Sequence, residues 1–134
     1  MTAIDEIVQN FALLDEWDDR YRYVIELGRE LPPFPESARN DANKVRGCVS
    51  QVWIETACEN GALRLIGDSD SHLVRGLVAI TLALFSERTP REILTVDAPA
   101  IFRELGLEQH LTPQRSNGVK AMIARIQADA AGAL

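Results

Sequence analysis

The stretch Gln51-Val-Trp-Ile-Glu-Thr-Ala-Cys-Glu-Asn60-Gly61-Ala-Leu-Arg-Leu-Ile-Gly67 decides the fold, and the rest of the chain is read outward from it. Its apolar residues recur with a period of two, the pattern of a half-buried β-strand. Val52, Ile54, Thr56 and Cys58 fall on one face, and Gln51, Trp53 and Glu55 on the other. Glu59-Asn60-Gly61 predicts a hairpin turn, because Asn-Gly accepts positive φ. Leu63, Leu65 and Gly67 then alternate back.

On the C-terminal side the period changes to that of a helix. Asp68, Ser69 or Asp70 is expected to cap it. From His72 to Ser86 the chain is apolar around most of its girth, which marks a central helix packed on one face of the hairpin. Gly76 is expected to let that helix approach the sheet. Thr89-Pro90 starts a further helix, with Pro at the first position. Asp97 caps another, before Ala98-Pro99, that ends near Gly106. Thr112-Pro113 opens the last, which runs to about Ala131 with Val119, Met122, Ile123 and Ile126 on one face.

On the N-terminal side Thr2, with Asp5 three places on, can cap a first helix carrying Ile4, Ile7, Val8, Phe11 and Leu14. A second begins at Asp15 or Glu16, with Trp17, Tyr21, Val24, Ile25 and Leu27 as its stripe. Gly28 is expected to weaken its end, and Leu31-Pro32-Pro33 to stop it. Tyr21 and Tyr23 are assigned to packing or surface hydrogen bonds, without a catalytic role. Residues 32–47 read as irregular. The prediction is an α+β fold, a small antiparallel sheet packed against several helices, in one domain spanning 1–134.

Composition bounds the function. The chain has 134 residues, 46% of them apolar and 25% charged, enough for a core without disulfides or metal. A net charge of −6 argues against a nucleic-acid partner, since phosphate backbones demand clustered Lys and Arg. No apolar run of about 18 residues predicts a membrane span. The acidic start, Met-Thr-Ala-Ile-Asp-Glu, lacks the order of a signal peptide. Two cysteines do not make a disulfide framework, so a reducing, cytoplasmic setting is expected.

Just upstream of the strand lies Asn43-Lys-Val-Arg-Gly47-Cys48-Val-Ser50-Gln51-Val-Trp53. Here a cysteine follows a glycine in a polar loop, with Lys44 and Arg46 before it and Ser50 and Gln51 after it. Nearby positive charge favours thiolate, the nucleophilic form. A cysteine kept for packing belongs more often in an apolar run. This favours a functional Cys48 over a structural one. Ten strand residues would separate it from Cys58 by roughly 33 Å, and a disulfide needs Cα atoms within about 7 Å. Cys58 is therefore expected to be a half-buried strand residue, unpaired with Cys48.

The segment from Asn43 to Trp53 resembles the signature of the SufE family of sulfur-acceptor proteins. Three more stretches match in order: Tyr23-Val-Ile-Glu-Leu-Gly28 with Leu31-Pro32, Gly67-Asp-Ser-Asp70 with Val74-Arg-Gly76, and Leu111-Thr-Pro-Gln-Arg115-Ser-Asn-Gly118. Together they span nearly the whole chain. Ser50-Gln51 favours the SufE branch over the sister CsdE branch, and Val49 departs from the glutamine expected at its place. The resemblance implies a SufE/IscU-like fold without the three cysteines of an iron–sulfur scaffold. It implies that a class II, SufS-like cysteine desulfurase passes persulfide sulfur to Cys48. The protein would stimulate that enzyme and hand the sulfur to an iron–sulfur scaffold complex. The pyridoxal phosphate would belong to the partner, and no cofactor of this chain's own is expected; Lys44 and Lys120 are its only lysines.

The supporting residues carry two readings each. Arg115, in the first turn of the last helix, contacts the Cys48 loop or the partner, or else is a solvated helix-end arginine. Asp70 is read as a cap before a chemical group. Gly47, Ser50, Gln51 and Trp53 shape the loop; the tryptophan faces a partner or packs under a helix. A metal site is not expected, because Cys48, Cys58, His72 and His110 lack metal-ligand spacing. A Ser-His-Asp hydrolase is unsupported. A non-catalytic docking module, with Cys48 incidental, is the competing class, and a thiol redox sensor a weaker third. Oligomeric state is left open, a homodimer included.

Overall fold

The structure, a computed structural model, describes residues 3–134; the cap assigned to Thr2 lies outside them. Helices α1 (Ala3–Leu13) and α2 (Trp17–Arg29) come first. An irregular stretch holds one 3-10 turn, Glu36–Ala38, and leads to the hairpin β1 (Val52–Glu59) and β2 (Ala62–Ser69). There follow α3 (His72–Phe85), the short α4 (Pro90–Thr95), α5 (Ala98–Glu104) and α6 (Leu107–His110), and then α7 (Pro113–Gly132). This is an α+β fold with one antiparallel two-stranded sheet, as the alternation of residues 51–67 requires.

The hairpin pairs Val52 with Ser69 through to Glu59 with Ala62. Its two loop residues, Asn60 and Gly61, both have positive φ, +52° and +81°, which matches the twist of the strands. Val52 and Ile54 are fully buried, whereas Thr56 is half-buried and Cys58 exposed. Cys58 is exposed even though its cross-strand partner Leu63 is buried, so the expectation of a half-buried Cys58 is corrected. Residues 43–45 add a short antiparallel segment to the free edge of β1, through Ile54 N–H to Asn43 O and Val45 N–H to Val52 O, both 2.8 Å. The prolines upstream masked this pairing in the sequence, because a one-bridge strand is too short to show alternation.

Helix α3 is the centre. It buries nine of its residues, from Val74 to Phe85. Its cap is Ser71, whose hydroxyl accepts from Val74 N–H at 3.4 Å, and not Asp68, Ser69 or Asp70. Gly76 serves a different contact from the one expected. A Cβ there would lie 2.1 Å from the Val24 carbonyl oxygen, and one on Gly28 would lie 2.7 Å from Gly76 N. The two glycines therefore let α2 and α3 cross backbone to backbone. Gly28 is a crossing residue inside α2, which continues to Arg29.

The capping signals at the other helices hold. Thr89 and Glu92 form a reciprocal capping box at α4, and Asp97 and Thr112 cap α5 and α7. The single turn α6, not separated in the sequence reading, is set off by Gly106 at φ +74°. Val119, Met122, Ile123 and Ile126 of α7 are buried against the core. Tyr23 accepts a hydrogen bond from Asn10, 2.9 Å, and the Tyr21 hydroxyl donates to the His110 carbonyl. No helix among the described residues is long and apolar enough to cross a membrane.

Candidate functional site

The loop between the short 43–45 segment and β1 is held at both ends and carries Cys48 at its tip. At the first end, Asn43 Nδ2 donates to Ala38 O at 3.0 Å and to Glu55 Oε2 at 3.2 Å, and Val45 is buried. At the other, Gln51 and Asp70 grip each other. Gln51 N–H donates to Asp70 Oδ1 at 3.1 Å, and Asp70 N–H donates to Gln51 O at 3.3 Å. The acidic side chain read as a helix cap is thus a clasp on the loop. Gly47 turns the chain at φ +92°, a conformation that side chains with a Cβ resist.

The Cys48 thiol is half-buried and donates to the Gly118 carbonyl of α7, Sγ to O 3.6 Å. Beside it lies a cavity of about 180 Å³. Val74 and Leu77 of α3 and Met122 of α7 form its apolar back. Val49, Ser50, Thr112, Gln114 and Arg115 line the remainder. Gly118 leaves the sulfur uncrowded at the helix, where a Cβ would touch Sγ at 3.5 Å. Helical periodicity places Val74 and Met122 in the core and assigns Gly118 no role. Periodicity finds a buried face but does not reveal a gap between two such faces.

Burial pushes the Cys48 thiol above its ordinary pKa, and no neighbouring charge counters this. The expectation that Lys44 and Arg46 favour thiolate is therefore corrected. Lys44 lies on the strand edge opposite Trp53, and Arg46 projects into solvent. The resting thiol is protonated at neutral pH, and only the protonated form can donate to Gly118 O. Ionisation would set a negative sulfur against a carbonyl oxygen.

The other expected residues divide. Ser50 and Arg115 reach the cavity, and the Arg115 guanidinium makes no hydrogen bond or ion pair among the described residues. Gln51 acts through its backbone, and its side chain is exposed. Trp53 lies on the strand face away from α3, with the Arg39 guanidinium 5.1 Å from its ring centre, so it does not pack under a helix. Arg39 also meets Asp68, 2.6 Å, which in turn lies 2.7 Å from Arg75 Nε. Burial alone would push the Asp68 carboxyl up. Hydrogen bonds from Arg39 and the Ser69 backbone, with the charges of Arg75 and Arg39, outweigh it and hold the group below the usual carboxylate range. Among the described residues no three of His, Cys, Asp and Glu converge as metal ligands would.

Residues 5–130 match the SufE family, described as an Fe-S metabolism associated domain. The chain belongs to the SufE family. An uncharacterized SufE-like protein of Rhizobium meliloti is 53% identical over all of this chain and 99% of its own length. An uncharacterized SufE-like protein of Rhizobium etli is 49% identical over 97% of this chain and 90% of its own. The solution structure of a hypothetical protein from Thermus thermophilus superposes with a TM-score of 0.79 at 23% identity, covering 97% of this chain and 94% of that one. At that identity the likeness carries the fold alone. SufE membership places the chain in iron–sulfur metabolism and sulfur transfer, with a cysteine desulfurase as its class of partner.

Proposed function

We propose that this SufE protein is a cytoplasmic sulfur acceptor, with Cys48 as the residue that takes the sulfur from a class II cysteine desulfurase. The observation that carries the reading is the thiol set beside an apolar-backed cavity and tied to α7 by a single weak bond. The Cys48 thiolate attacks the terminal sulfur of the desulfurase persulfide. The partner's S–S bond breaks, the partner cysteine leaves as thiolate, and Cys48 becomes the persulfide. Rate in such exchange depends on thiolate fraction and access. Both are low in the resting loop, where burial favours the thiol.

Docking therefore has to do two things: draw the sulfur away from Gly118 and favour its ionisation. The clasped ends at Asn43 and at Gln51–Asp70 confine that movement to the residues between them. After transfer, the cavity has room for the extra sulfur atom against its apolar back of Val74, Leu77 and Met122. An iron–sulfur scaffold then receives the sulfur by the same exchange in reverse. Arg115, free at the cavity edge, is assigned to the partner or to the loop in its extended position. Stimulation of the desulfurase follows from removal of its persulfide.

The test mixes the protein with a class II cysteine desulfurase and cysteine, and records intact mass without reductant. The expected result is addition of sulfur to the wild type, mapped to Cys48, and none to Cys48→Ser. No added sulfur, with equal desulfurase stimulation by both proteins, would show a docking module instead. Hydrogen exchange of residues 43–51 should rise on adding the desulfurase; equal protection in both states would exclude the loop movement.

A further inference from the structure

Val49 is the one large apolar side chain of the loop tip that the fold leaves in solvent. It is 78% exposed, while Cys48 and Ser50 on either side are half-buried. Three other large apolar side chains are exposed among the described residues: Leu13, Leu94 and Leu134. Leu13 closes α1, Leu94 lies on α4 and Leu134 follows α7. Val49 alone of the four lines the cavity beside the thiol.

Its surroundings have the layout of an interface centre. Arg46, Gln51, Gln114 and Arg115 are exposed polar neighbours along the loop and the start of α7. An apolar centre inside a polar rim is how protein interfaces are built. The clasped loop ends present Val49 from a fixed base, which lowers the ordering cost of association. Burial of an exposed valine then contributes through the hydrophobic effect.

We propose that Val49 is the apolar anchor of the docked state, entering an apolar recess of the desulfurase beside its persulfide. Its size and apolarity select which desulfurases the protein serves. The inference rests on the sulfur-acceptor reading, and its failure is separable from the failure of that reading. A polar residue in the same place would suit a desulfurase whose recess offers hydrogen-bond partners instead.

The experiment titrates wild type, Val49→Gln, Val49→Ile and Leu13→Gln into the class II desulfurase encoded by the same genome, with cysteine present. Rate is read against the concentration of this protein, and sulfur on Cys48 by mass. Val49→Gln should raise the half-saturating concentration about tenfold, equivalent to about 1.4 kcal/mol, with the maximal rate unchanged. Val49→Ile should stay within about twofold of wild type, and Leu13→Gln, equally exposed but outside the cavity lining, should not shift it. Sulfur on Cys48 in all four proteins with one common half-saturation would overturn the anchor and leave the acceptor reading intact. A shorter persulfide lifetime in Val49→Gln without a shift in half-saturation would also overturn it, making Val49 a lid on the cavity. Wild type that gains no sulfur would remove the reading on which the anchor rests.

Discussion

One strand serves two cysteines, and its two ends treat them differently. Cys48 precedes the buried end of β1, where α3 and α7 close over the chain. It is half-buried, hydrogen-bonded to Gly118 O and beside a cavity. Cys58 sits at the far end, exposed, near the hairpin turn. Exposure and built surroundings thus run in opposite directions. The open thiol has no built surroundings, and the thiol with built surroundings is held back by burial. On the acceptor reading proposed above, exposure by itself is a poor guide to which cysteine carries sulfur.

The largest test of that contrast is removal of each thiol. Cys48→Ser should reduce sulfur uptake from the desulfurase to background, and Cys58→Ser should leave it within about twofold of wild type, read by intact mass. Equal loss in both would break the comparison.

Alkylation of the free protein should give the reverse order. At neutral pH Cys58, which is exposed, should react with iodoacetamide faster than Cys48, whose burial limits access and disfavours the thiolate, the reacting form. Peptide mapping over time measures the ratio, and adding the desulfurase should narrow it.

The clasp sharpens the comparison at smaller scale. Asp70→Ala removes the acceptor for Gln51 N–H and should weaken the loop's base by about 1 kcal/mol. Exchange of the Gln51 amide should quicken about fivefold, with the melting of the whole domain nearly unchanged. An unaltered amide would show that the loop is held elsewhere.

The smallest effect concerns alkaline stability. The folded Cys48 pKa is raised by burial. Its contribution to stability is complete below the ordinary thiol value and is lost as pH rises through the raised one. Stability of the wild type should therefore decline slightly more on that alkaline side than stability of Cys48→Ser, in denaturant titrations at stepped pH.

Much of the fold was legible in single residues. The alternation from Val52, the Asn60-Gly61 turn, and the Thr-Pro starts at Thr89 and Thr112 each impose local geometry that few conformations satisfy. The loop position of Cys48 was legible as well, because a Gly-Cys pair among polar residues is an unusual place for a packing thiol. The surroundings of that thiol were not. Lys44 and Arg46 are neighbours in sequence but not in influence, and Asp70, Gly118 and Met122 are distant in sequence but meet at the loop.

Periods and dihedral preferences within a few residues were enough to place the hairpin and the longer helices, their apolar faces and the loop position of Cys48, though not the cap of α3, the 43–45 segment or α6. Only the tertiary structure decided that Gly76 faces Gly28 instead of the sheet, that Asp70 clasps Gln51, and that a gap opens between α3 and α7 beside Cys48. Each of these depends on how two separate elements lie against each other, and pairwise packing distances are not encoded in the local pattern of either element.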